Sequence, residues 1–311
     1  MAGRDPRADI IDDNPFSKGK PKIHRVHSSK SSDGTININL SDAKTLFQEF
    51  TNKEKKNPDK IWQFSNIEKS NLTLAMAAFT LALGFMSVRG LSGISSLGLE
   101  TWMITLLLSM PVMLLAVGPA FLFHEIGHKL VAKKNGCWAE FRADPKGLQF
   151  GVIISFFLGF LFMAPGAVMV AGLVTRRQNG HIAVAGPLTN LGLFLIGIPI
   201  WTIILGLTGA YDLTSIPTLT NGSKAYTSGG SIVWQAMIID AGIWWLSANL
   251  ILGLFNMIPW GPLDGLKVKD WSEGAFYGVF FIFLIPVMGM FLGEWSPADL
   301  LYNSVDLIFG V

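Results

Sequence analysis

From residue 72 onward, the chain consists of long apolar runs joined by short loops that carry most of the charges. A helix needs about 20 apolar residues to cross a hydrocarbon core about 30 Å thick, and each run approaches or exceeds that length. Only 15% of the residues are charged, well below the roughly 25% of soluble proteins. We therefore predict a polytopic α-helical membrane protein with five to six transmembrane helices. The six runs are 72–88, 101–123, 150–174, 182–207, 232–257 and 275–293.

The first 70 residues differ from the rest, because they hold 13 of the 24 Lys and Arg and 10 of the 22 Asp and Glu. They contain no early apolar core, so we expect no cleavable signal peptide. The low-complexity stretch 28–34 predicts disorder over about the first 35 residues. A capping residue followed by apolar positions at helical spacing predicts a short amphipathic helix at 41–50. The expected organisation is a polar, partly disordered tail at 1–70 and a membrane-embedded domain at 71–311.

Composition also bears on the partners. A net charge of +2 gives no general attraction to nucleic acid, and the expected surroundings are the lipid bilayer of the cell membrane. Cys137 is the single cysteine, which rules out an intrachain disulfide and a cysteine-rich zinc finger. His24 and His27 lie in the basic tail, where solvated side chains are the expected state, so we leave them out of the site.

The distribution of cations predicts which loops face the cytoplasm. Three loops are basic, whereas the connections 89–100 and 208–231 contain only Arg89 and Lys224 and should face outward. The basic loops and the basic tail should be cytoplasmic, which places the N-terminus there. The cations of the three loops are Lys129, Lys133, Lys134, Arg142, Lys146, Arg176, Arg177, Lys267 and Lys269.

The run 150–174 has a basic loop at each end, which conflicts with a single crossing. We predict that it is re-entrant and turns near Pro165-Gly166. Irregular backbone at membrane depth is tolerated where protein or a water-filled cavity covers it. The alternative is an ordinary span that leaves Arg176 and Arg177 on the outer side.

The second run ends in the motif His124-Glu125-Ile-Gly-His128. Residues four apart share one face of a helix, so His124 and His128 can present two imidazoles to one metal ion. Glu125 is the next residue and offers a carboxylate base. A helix that carries these residues without a shared role is the alternative, but three ionisable groups in so apolar a run would be costly. The pattern is typical of a hydrolytic zinc site.

A zinc site needs a third protein ligand, and two acids in apolar sequence are candidates, Asp240 and Asp264. Asp240 lies 16 residues before Asn256 on the same predicted helix. At about 1.5 Å per residue, the two are about 24 Å apart along the helix. The histidines lie at the cytoplasmic end of their helix, and the fifth run also ends there. Asp264 is therefore at the right depth, and we expect Asp240 to pair with a polar group near the outer surface or to be an interfacial acid.

The sequence around Asp264 suits a ligand-bearing loop. Pro259 and Pro262 end the helix and keep the backbone extended, and Gly265 permits an unusual turn beside the ligand. Asn256 offers an amide donor that suits a developing oxyanion.

Three motifs together resemble the site-2 protease family of zinc intramembrane metalloproteases over about residues 70–270. They are His124-Glu125-x-x-His128, Ala185-Gly186-Pro187-x-x-Asn190, and Asn256-x-x-Pro259-x-x-x-x-Asp264-Gly265. The resemblance implies an endopeptidase that cleaves transmembrane segments of single-pass, membrane-anchored substrates in regulated intramembrane proteolysis.

The same resemblance implies roles for individual residues. His124, His128 and Asp264 would bind one Zn²⁺, Glu125 would be the general base, and Asn256 would stabilise the tetrahedral intermediate. Asn190, after Gly186-Pro187, would lie near the substrate channel, and 164–168 would match a membrane-embedded hairpin. Many members carry a PDZ domain in an outer loop, and the connection 208–231 is too short for one.

Two other functions are considered. A membrane zincin that trims lipidated or misfolded proteins takes a glutamate from a later helix as third ligand, and the later runs contain none. A metal transporter or metal-binding scaffold needs ligands along a continuous path, whereas the polar residues of the runs cluster at one depth.

Overall fold

A computed structural model describes the backbone of residues 29–30 and 36–37 and all of 62–163, 165–172, 174–212, 216–217 and 225–310. The chain divides into two compact units, Met1–Gln63 and Phe64–Val311. In the first unit, strand β1 (Ser29–Lys30) pairs antiparallel with β2 (Ile36–Asn37). The predicted helix at 41–50 and most of the predicted disordered tail lie outside the described residues. The second unit contains the candidate site and is described below.

Five helical segments among the described residues are long and apolar enough to cross a membrane. This confirms a polytopic α-helical membrane protein at the lower end of the predicted number. The segments are α1 (Asn66–Ser87), the continuous pair α3 (Leu99–Ala116) and α4 (Gly118–Lys134), α6 (Arg176–Thr208), α7 (Trp234–Asn256) and α9 (Glu273–Leu292).

Shorter elements connect these segments or pack at their ends. A 3-10 helix (Gly90–Ser92) and α2 (Gly93–Leu97) join α1 to α3. The others are β3 (Trp138–Ala143), α5 (Pro145–Leu158), β4 (Gly166–Ala171), β5 (Thr227–Ser228), β6 (Ser231–Ile232), α8 (Asp264–Trp271) and α10 (Pro297–Phe309).

Helix α1 begins at Asn66, so residues assigned to the polar tail belong to the first membrane-length helix. Ser65 caps it, because its hydroxyl accepts a hydrogen bond from the Glu68 backbone N–H at 3.1 Å. Glu68 is buried, where it forms an ion pair with Lys129 of α4 and accepts a hydrogen bond from the Phe141 backbone N–H. Each charge therefore has a partner that offsets the cost of its burial.

The run 150–174 forms part of a helix–strand hairpin, and the expected turn near Pro165-Gly166 is wrong. Helix α5 is followed by Gly159 in the left-handed region (φ 64°), and β4 begins at Gly166. The chain reverses at Gly159, because glycine adopts that conformation without steric cost. Strand β4 then pairs antiparallel with β3, with Trp138 opposite Ala171 and Ala143 opposite Gly166.

This hairpin lies along α1. At its start, the Ala143 backbone N–H donates to the Asn71 side-chain oxygen at 2.9 Å. At its tip, a Cβ on Gly159 would overlap the backbone of Arg89, just beyond the end of α1. Helix α5 thus begins beside the first turns of α1 and ends beside the last turn of α1. The chain then returns as an extended segment that leads into β4. The two ends of the hairpin lie side by side, as the re-entrant prediction requires.

Helix α6 is the centre of the packing. Ile198, Trp201 and Leu205 of α6 belong to an apolar core shared with α3, α4, α7 and α10. Ala183 and Leu191, nearer its start, belong to a second core shared with α7, α8 and α9. Because the elements that bear the candidate ligands pack against α6, this helix determines the spacing of the site.

Candidate metal centre

Three predicted ligands meet at one point. His124 and His128 lie one turn apart on α4, and Asp264 is the first residue of α8. The two Nε2 atoms are 3.0 Å apart, and Asp264 Oδ2 lies 3.4 Å from His124 Nε2 and 3.0 Å from His128 Nε2. All three side chains are buried, and their ligand atoms can hold one metal ion.

The three distances fit a zinc ion. Ligand atoms about 2.0–2.1 Å from the metal in a tetrahedral site are about 3.3 Å from one another. The observed separations of 3.0 to 3.4 Å approximate three edges of that tetrahedron. Three ligands also leave the fourth position for water or substrate, as in catalytic rather than structural zinc sites.

Each histidine has an acceptor on its far side. His124 Nδ1 lies 2.6 Å from Asn190 Oδ1, and His128 Nδ1 lies 2.7 Å from the carbonyl oxygen of Ile182. Because a carbonyl oxygen only accepts, His128 Nδ1 carries the proton and Nε2 presents its lone pair. The Asn190 amide nitrogen donates to the Ala120 carbonyl at 2.9 Å, so its oxygen faces His124 and requires the same tautomer. Two lone pairs that face each other at 3.0 Å repel unless a cation lies between them.

Backbone geometry at the start of α8 places Asp264. A Cβ on Gly265 would overlap the carbonyl oxygen of Met257, so the turn packs closely on the end of α7. Asp264 Oδ1 accepts a hydrogen bond from Lys267 Nζ at 3.2 Å, which leaves Oδ2 to face the histidines. Burial acts to raise the pKa of Asp264, and the positive charge of Lys267 beside Oδ1 acts to lower it. The ionised carboxylate is the form that binds metals.

One carboxylate oxygen of Glu125 is available to accept a proton. The buried Oε2 atom of Glu125 has no hydrogen-bond partner among the described residues. Burial without a partner is costly for a carboxylate oxygen unless a water or substrate meets it during function.

Helix α6 passes directly over the imidazoles at Gly186. A Cβ at this position would overlap the Nε2 atoms of both His124 and His128, so any larger residue would fill the metal position. Pro187 follows inside α6, where it removes a backbone hydrogen bond and bends a helix. The motif Gly186-Pro187 thus keeps the backbone close to the ligands without blocking them.

Three other predicted residues lie outside the group of metal ligands. Asn256, the last residue of α7, is half-buried, and its amide donates to the Leu252 carbonyl at 3.0 Å. Pro259 is exposed in the turn that follows α7. Asn190 is fully buried behind His124, and its expected place near a substrate channel stays a prediction.

Asp240 lies apart from this group, near the start of α7. The Tyr226 hydroxyl donates to its Oδ2 atom at 2.8 Å. Burial raises the pKa of Tyr226 above its usual value, and the Asp240 charge adds to the shift. Asp240 therefore has a polar partner outside the metal centre, and the group of three close ligand atoms includes Asp264 instead.

The fold and this group of residues define a membrane-embedded metallohydrolase. Residues 112–270 match peptidase family M50, and the chain belongs to that family. The predicted resemblance to site-2 zinc metalloproteases is thereby confirmed, and no PDZ domain is evident in the described part of the chain.

Curated relatives support this family assignment. The protein MJ0611 of Methanocaldococcus jannaschii, a candidate zinc metalloprotease, is 36% identical over 162 residues, which cover 52% of this chain and 70% of that protein. YwhC of Bacillus subtilis, named in the same way, is 27% identical over 169 residues, or 52% of this chain and 68% of that protein. Rip3 of Mycobacterium tuberculosis is 30% identical over 154 residues, 50% of this chain but 28% of its own length. No solved structure was found to match the chain.

Sequence reasoning missed two sets of partners. The ion pair of Glu68 with Lys129 was missed because Glu68 was assigned to the tail, although a glutamate three residues after a capping serine signals the start of a helix. Asn249 was missed because an amide within an apolar run has no motif of its own. Its contact with Asn190 depends on how α6 and α7 pack.

Proposed function

We propose that this chain is a zinc-dependent intramembrane endopeptidase that cleaves peptide bonds in or near the transmembrane segments of membrane-anchored, single-pass proteins, in regulated intramembrane proteolysis. The observation that carries the proposal is the convergence of His124, His128 and Asp264 beside Glu125. These residues lie on or beside a helical segment of membrane length. The proposed orientation has the N-terminus and the metal-site end of the helices in the cytoplasm, on the side of the nine loop cations.

Separate residues would bind the metal, transfer the proton and stabilise the oxyanion. His124, His128 and Asp264 would hold the ion through two neutral nitrogens and one carboxylate oxygen. When bound, zinc lowers the pKa of a water molecule and polarises a carbonyl group, which are the two effects that amide hydrolysis requires. Glu125 takes the proton from the attacking water through its unpartnered Oε2 atom and returns it to the leaving amine. Asn256 is our proposed donor to the developing oxyanion, through the second hydrogen of its amide.

The substrate must also be unwound, because a helix hides its carbonyls in its own hydrogen bonds. Strand β4 offers an edge for the unwound segment. Phe141 and Val168 are opposite each other, yet the Phe141 N–H points away from β4, to Glu68. The pair is thus of the non-hydrogen-bonded kind, so the Val168 N–H also points away from β3, at the outer edge of β4. The Val168 backbone lies near the Glu125 carboxylate. We propose that a substrate strand pairs along this edge and brings its peptide bond to the metal centre.

The test compares Glu125→Gln with the unmodified chain after reconstitution in vesicles with a single-pass substrate. Because Glu125 is not a metal ligand, we expect unchanged zinc content and a loss of cleavage of at least about a hundredfold, the usual contribution of a general base. Glu294→Gln alters an exposed glutamate beyond the end of α9 and serves as the control. Turnover that persists in E125Q would exclude the proposed role of Glu125. Metal uptake into the vesicles without cleavage would favour a transporter.

Comparison of the membrane proteomes of cells with the native chain and with E125Q would identify the substrates. Single-pass proteins that accumulate uncleaved with the variant are the expected class. Accumulation of soluble proteins alone would contradict the proposed substrate class.

A further inference from the structure

A series of buried amide groups connects the metal centre to α7. His124 Nδ1 lies 2.6 Å from Asn190 Oδ1, and Asn190 Nδ2 lies 2.9 Å from Asn249 Oδ1. Asn249 Nδ2 in turn lies 2.8 Å from the carbonyl oxygen of Trp245. Both asparagine residues are 0% exposed, so water does not compete for these bonds. The series crosses from α4 through α6 to α7.

The direction of every bond in the series follows from its last acceptor. The Trp245 carbonyl only accepts, so it faces the amide nitrogen of Asn249, and the oxygen of Asn249 faces Asn190. That oxygen accepts from the nitrogen of Asn190, whose other hydrogen bonds to the Ala120 carbonyl at 2.9 Å. The oxygen of Asn190 is left to face His124 Nδ1, which must donate. The lone pair of His124 is therefore on Nε2, toward Asp264 and His128.

We propose that Asn249 is a positioning residue of the metal centre, which fixes the amide orientation of Asn190 and through it the tautomer and ring orientation of His124. Asn249 supplies one of the two acceptors that hold the Asn190 amide, and the Ala120 carbonyl supplies the other. Loss of Asn249 removes one of these two restraints and leaves a buried N–H unpaired. Partners that orient metal-binding histidines affect metal affinity, and the expected effect here is a partial loss.

The alternative is that Asn249 only stabilises the packing of α6 on α7. The chain offers variants that separate these roles. Ser247, two residues earlier on α7, donates to the Ile243 carbonyl at 2.8 Å, which is the same local bond that Asn249 makes to Trp245. Ser247→Ala therefore removes a local helix bond and leaves the amide series intact.

Two substitutions of Asn249 complete the set. Asn249→Ser can make the local bond to the Trp245 carbonyl, as Ser247 does to Ile243, but its short side chain does not reach Asn190. Asn249→Asp keeps the length of the side chain. A buried carboxyl group is expected to be neutral, so its hydroxyl can donate to Trp245 while its other oxygen accepts from Asn190. N249S thus removes the series, and N249D restores it.

The measurements are zinc affinity of the purified full chain, by competition with a chelator, and the visible absorption spectrum after substitution with Co²⁺, which reports ligand geometry. We expect N249S to bind zinc about tenfold more weakly, the lower end of the roughly 10–100-fold range for partners of metal ligands. Its Co²⁺ spectrum should shift, whereas N249D and S247A should resemble the unmodified chain in both measurements.

Equal zinc affinity and equal spectra for N249S and the unmodified chain would overturn the inference. The same holds if S247A loses as much affinity as N249S, or if N249D fails to restore it. The inference rests on the proposed zinc site, and the two fail differently. If the unmodified chain bound no zinc, the site itself would be wrong, whereas equal binding by N249S would remove only the role of Asn249.

Discussion

At the scale of single residues, the metal centre depends on residues that lack side chains as much as on the ligands. A Cβ on Gly127 would overlap Thr189 Oγ1 and approach the Ala185 carbonyl at 3.0 Å, so this glycine lets α6 approach α4 closely. Gly186 then leaves space for both imidazoles, and Gly265 lets the Asp264 turn pack on Met257. The ligands lie within reach of one ion because three backbone segments approach more closely than side chains would allow.

The choice of third ligand gives a prediction at this scale. Asp264→Ala should lower zinc affinity by more than the roughly 10–100-fold typical of changes behind the ligands, because it removes a ligand itself. Asp240→Asn is the matched control, since Asp240 pairs with Tyr226 away from the histidines. Metal analysis of both purified variants is the measurement. Loss of zinc from D240N with full occupancy in D264A would show that the ligand assignment is wrong.

The single-residue predictions rest on information that a local spacing or a position along a helix can carry. His124 and His128 share one helical face by their spacing, and Asp264 was chosen over Asp240 by depth along α7; the structure brings these three together. Asn190 differs, because its contact with His124 joins residues 66 positions apart on different helices. No local sequence pattern encodes this contact, because it depends on how α6 packs on α4.

At the scale of elements, the hairpin of β3, α5 and β4 was the feature that the sequence described least well. The run 150–174 is apolar whether it forms a helix or a strand, so its composition did not reveal the change at Gly159. Strand β3 was missed because it contains two charges, and in the structure Glu140 and Arg142 pair at 2.8 Å. The prediction that this run enters and leaves on one side rests on the charges at its two ends, and the side-by-side ends of the hairpin are compatible with it.

The register of this hairpin yields a prediction about substrate binding. Val170 pairs with Ala139 and lies two residues from Val168, so its N–H also faces the outer edge of β4. Val170→Pro removes that one donor, and proline is tolerated at strand edges where the N–H is not used in the sheet. We expect unchanged zinc binding and a fall in kcat/KM of up to about tenfold, the equivalent of one hydrogen bond worth about 0.5–1.5 kcal/mol.

Met169→Pro is the comparison for this experiment. Met169 pairs with Glu140, and its N–H faces β3, so proline there should disrupt the hairpin and lower the thermal stability of the protein. Cleavage by V170P at the unmodified rate would mean that substrates do not pair along this edge.

The end of α7 opposite the metal centre is joined to its neighbours by a cluster of Tyr226, Asp240 and Tyr302. Burial raises the pKa of Tyr302 of α10 above its usual value, and Asp240 contributes to the shift, as it does for Tyr226. A raised pKa in the folded state favours the protonated phenol. The contribution of this phenol to the free energy of unfolding is therefore fully present below the pKa of the unfolded state. It is lost as pH rises from that value through the pKa of the folded state.

Tyr226→Phe tests this cluster. Loss of the bond to Asp240 should lower the free energy of unfolding at neutral pH by about 1–3 kcal/mol. Above pH 10.0, the ordinary pKa of the group, the melting temperature of the unmodified chain should fall more steeply than that of Y226F. Thermal denaturation from pH 7 to 11 measures both effects, and parallel curves would contradict the role of the phenol. Zinc content should be unchanged, because the cluster lies apart from the ligands.

At the scale of the whole molecule, polar groups are separated along the helices. His124 lies within α4 and Asp264 at the start of α8, just beyond the end of α7, whereas Asp240 and Tyr226 lie near the start of α7. Between them, the two apolar cores contact α6 along its length. Among the described residues, these ionisable groups thus form two separate clusters with apolar cores between them, rather than a continuous line of metal ligands, which favours a protease over a transporter.

The orientation of this arrangement in the membrane gives the last prediction. The ends of the hairpin lie side by side, since Trp138 pairs with Ala171, so residues just outside it should share one face of the membrane. Lys146 and Arg177 are exposed and suit cysteine reporters, whereas Arg142 is buried and paired with Glu140. In a chain with Cys137→Ser, K146C and R177C should resist a membrane-impermeant thiol reagent in intact cells and react in inverted vesicles.

Ser95, exposed in the connection between α1 and α3, provides the control for this labelling. S95C should show the opposite pattern, with reaction in intact cells, because its loop carries few cations and is expected to face outward. Labelling of R177C but not K146C from outside would mean that the hairpin crosses the membrane. In that case α6, α7 and α9 would all reverse their direction, and the metal centre could no longer lie where the basic loops place it.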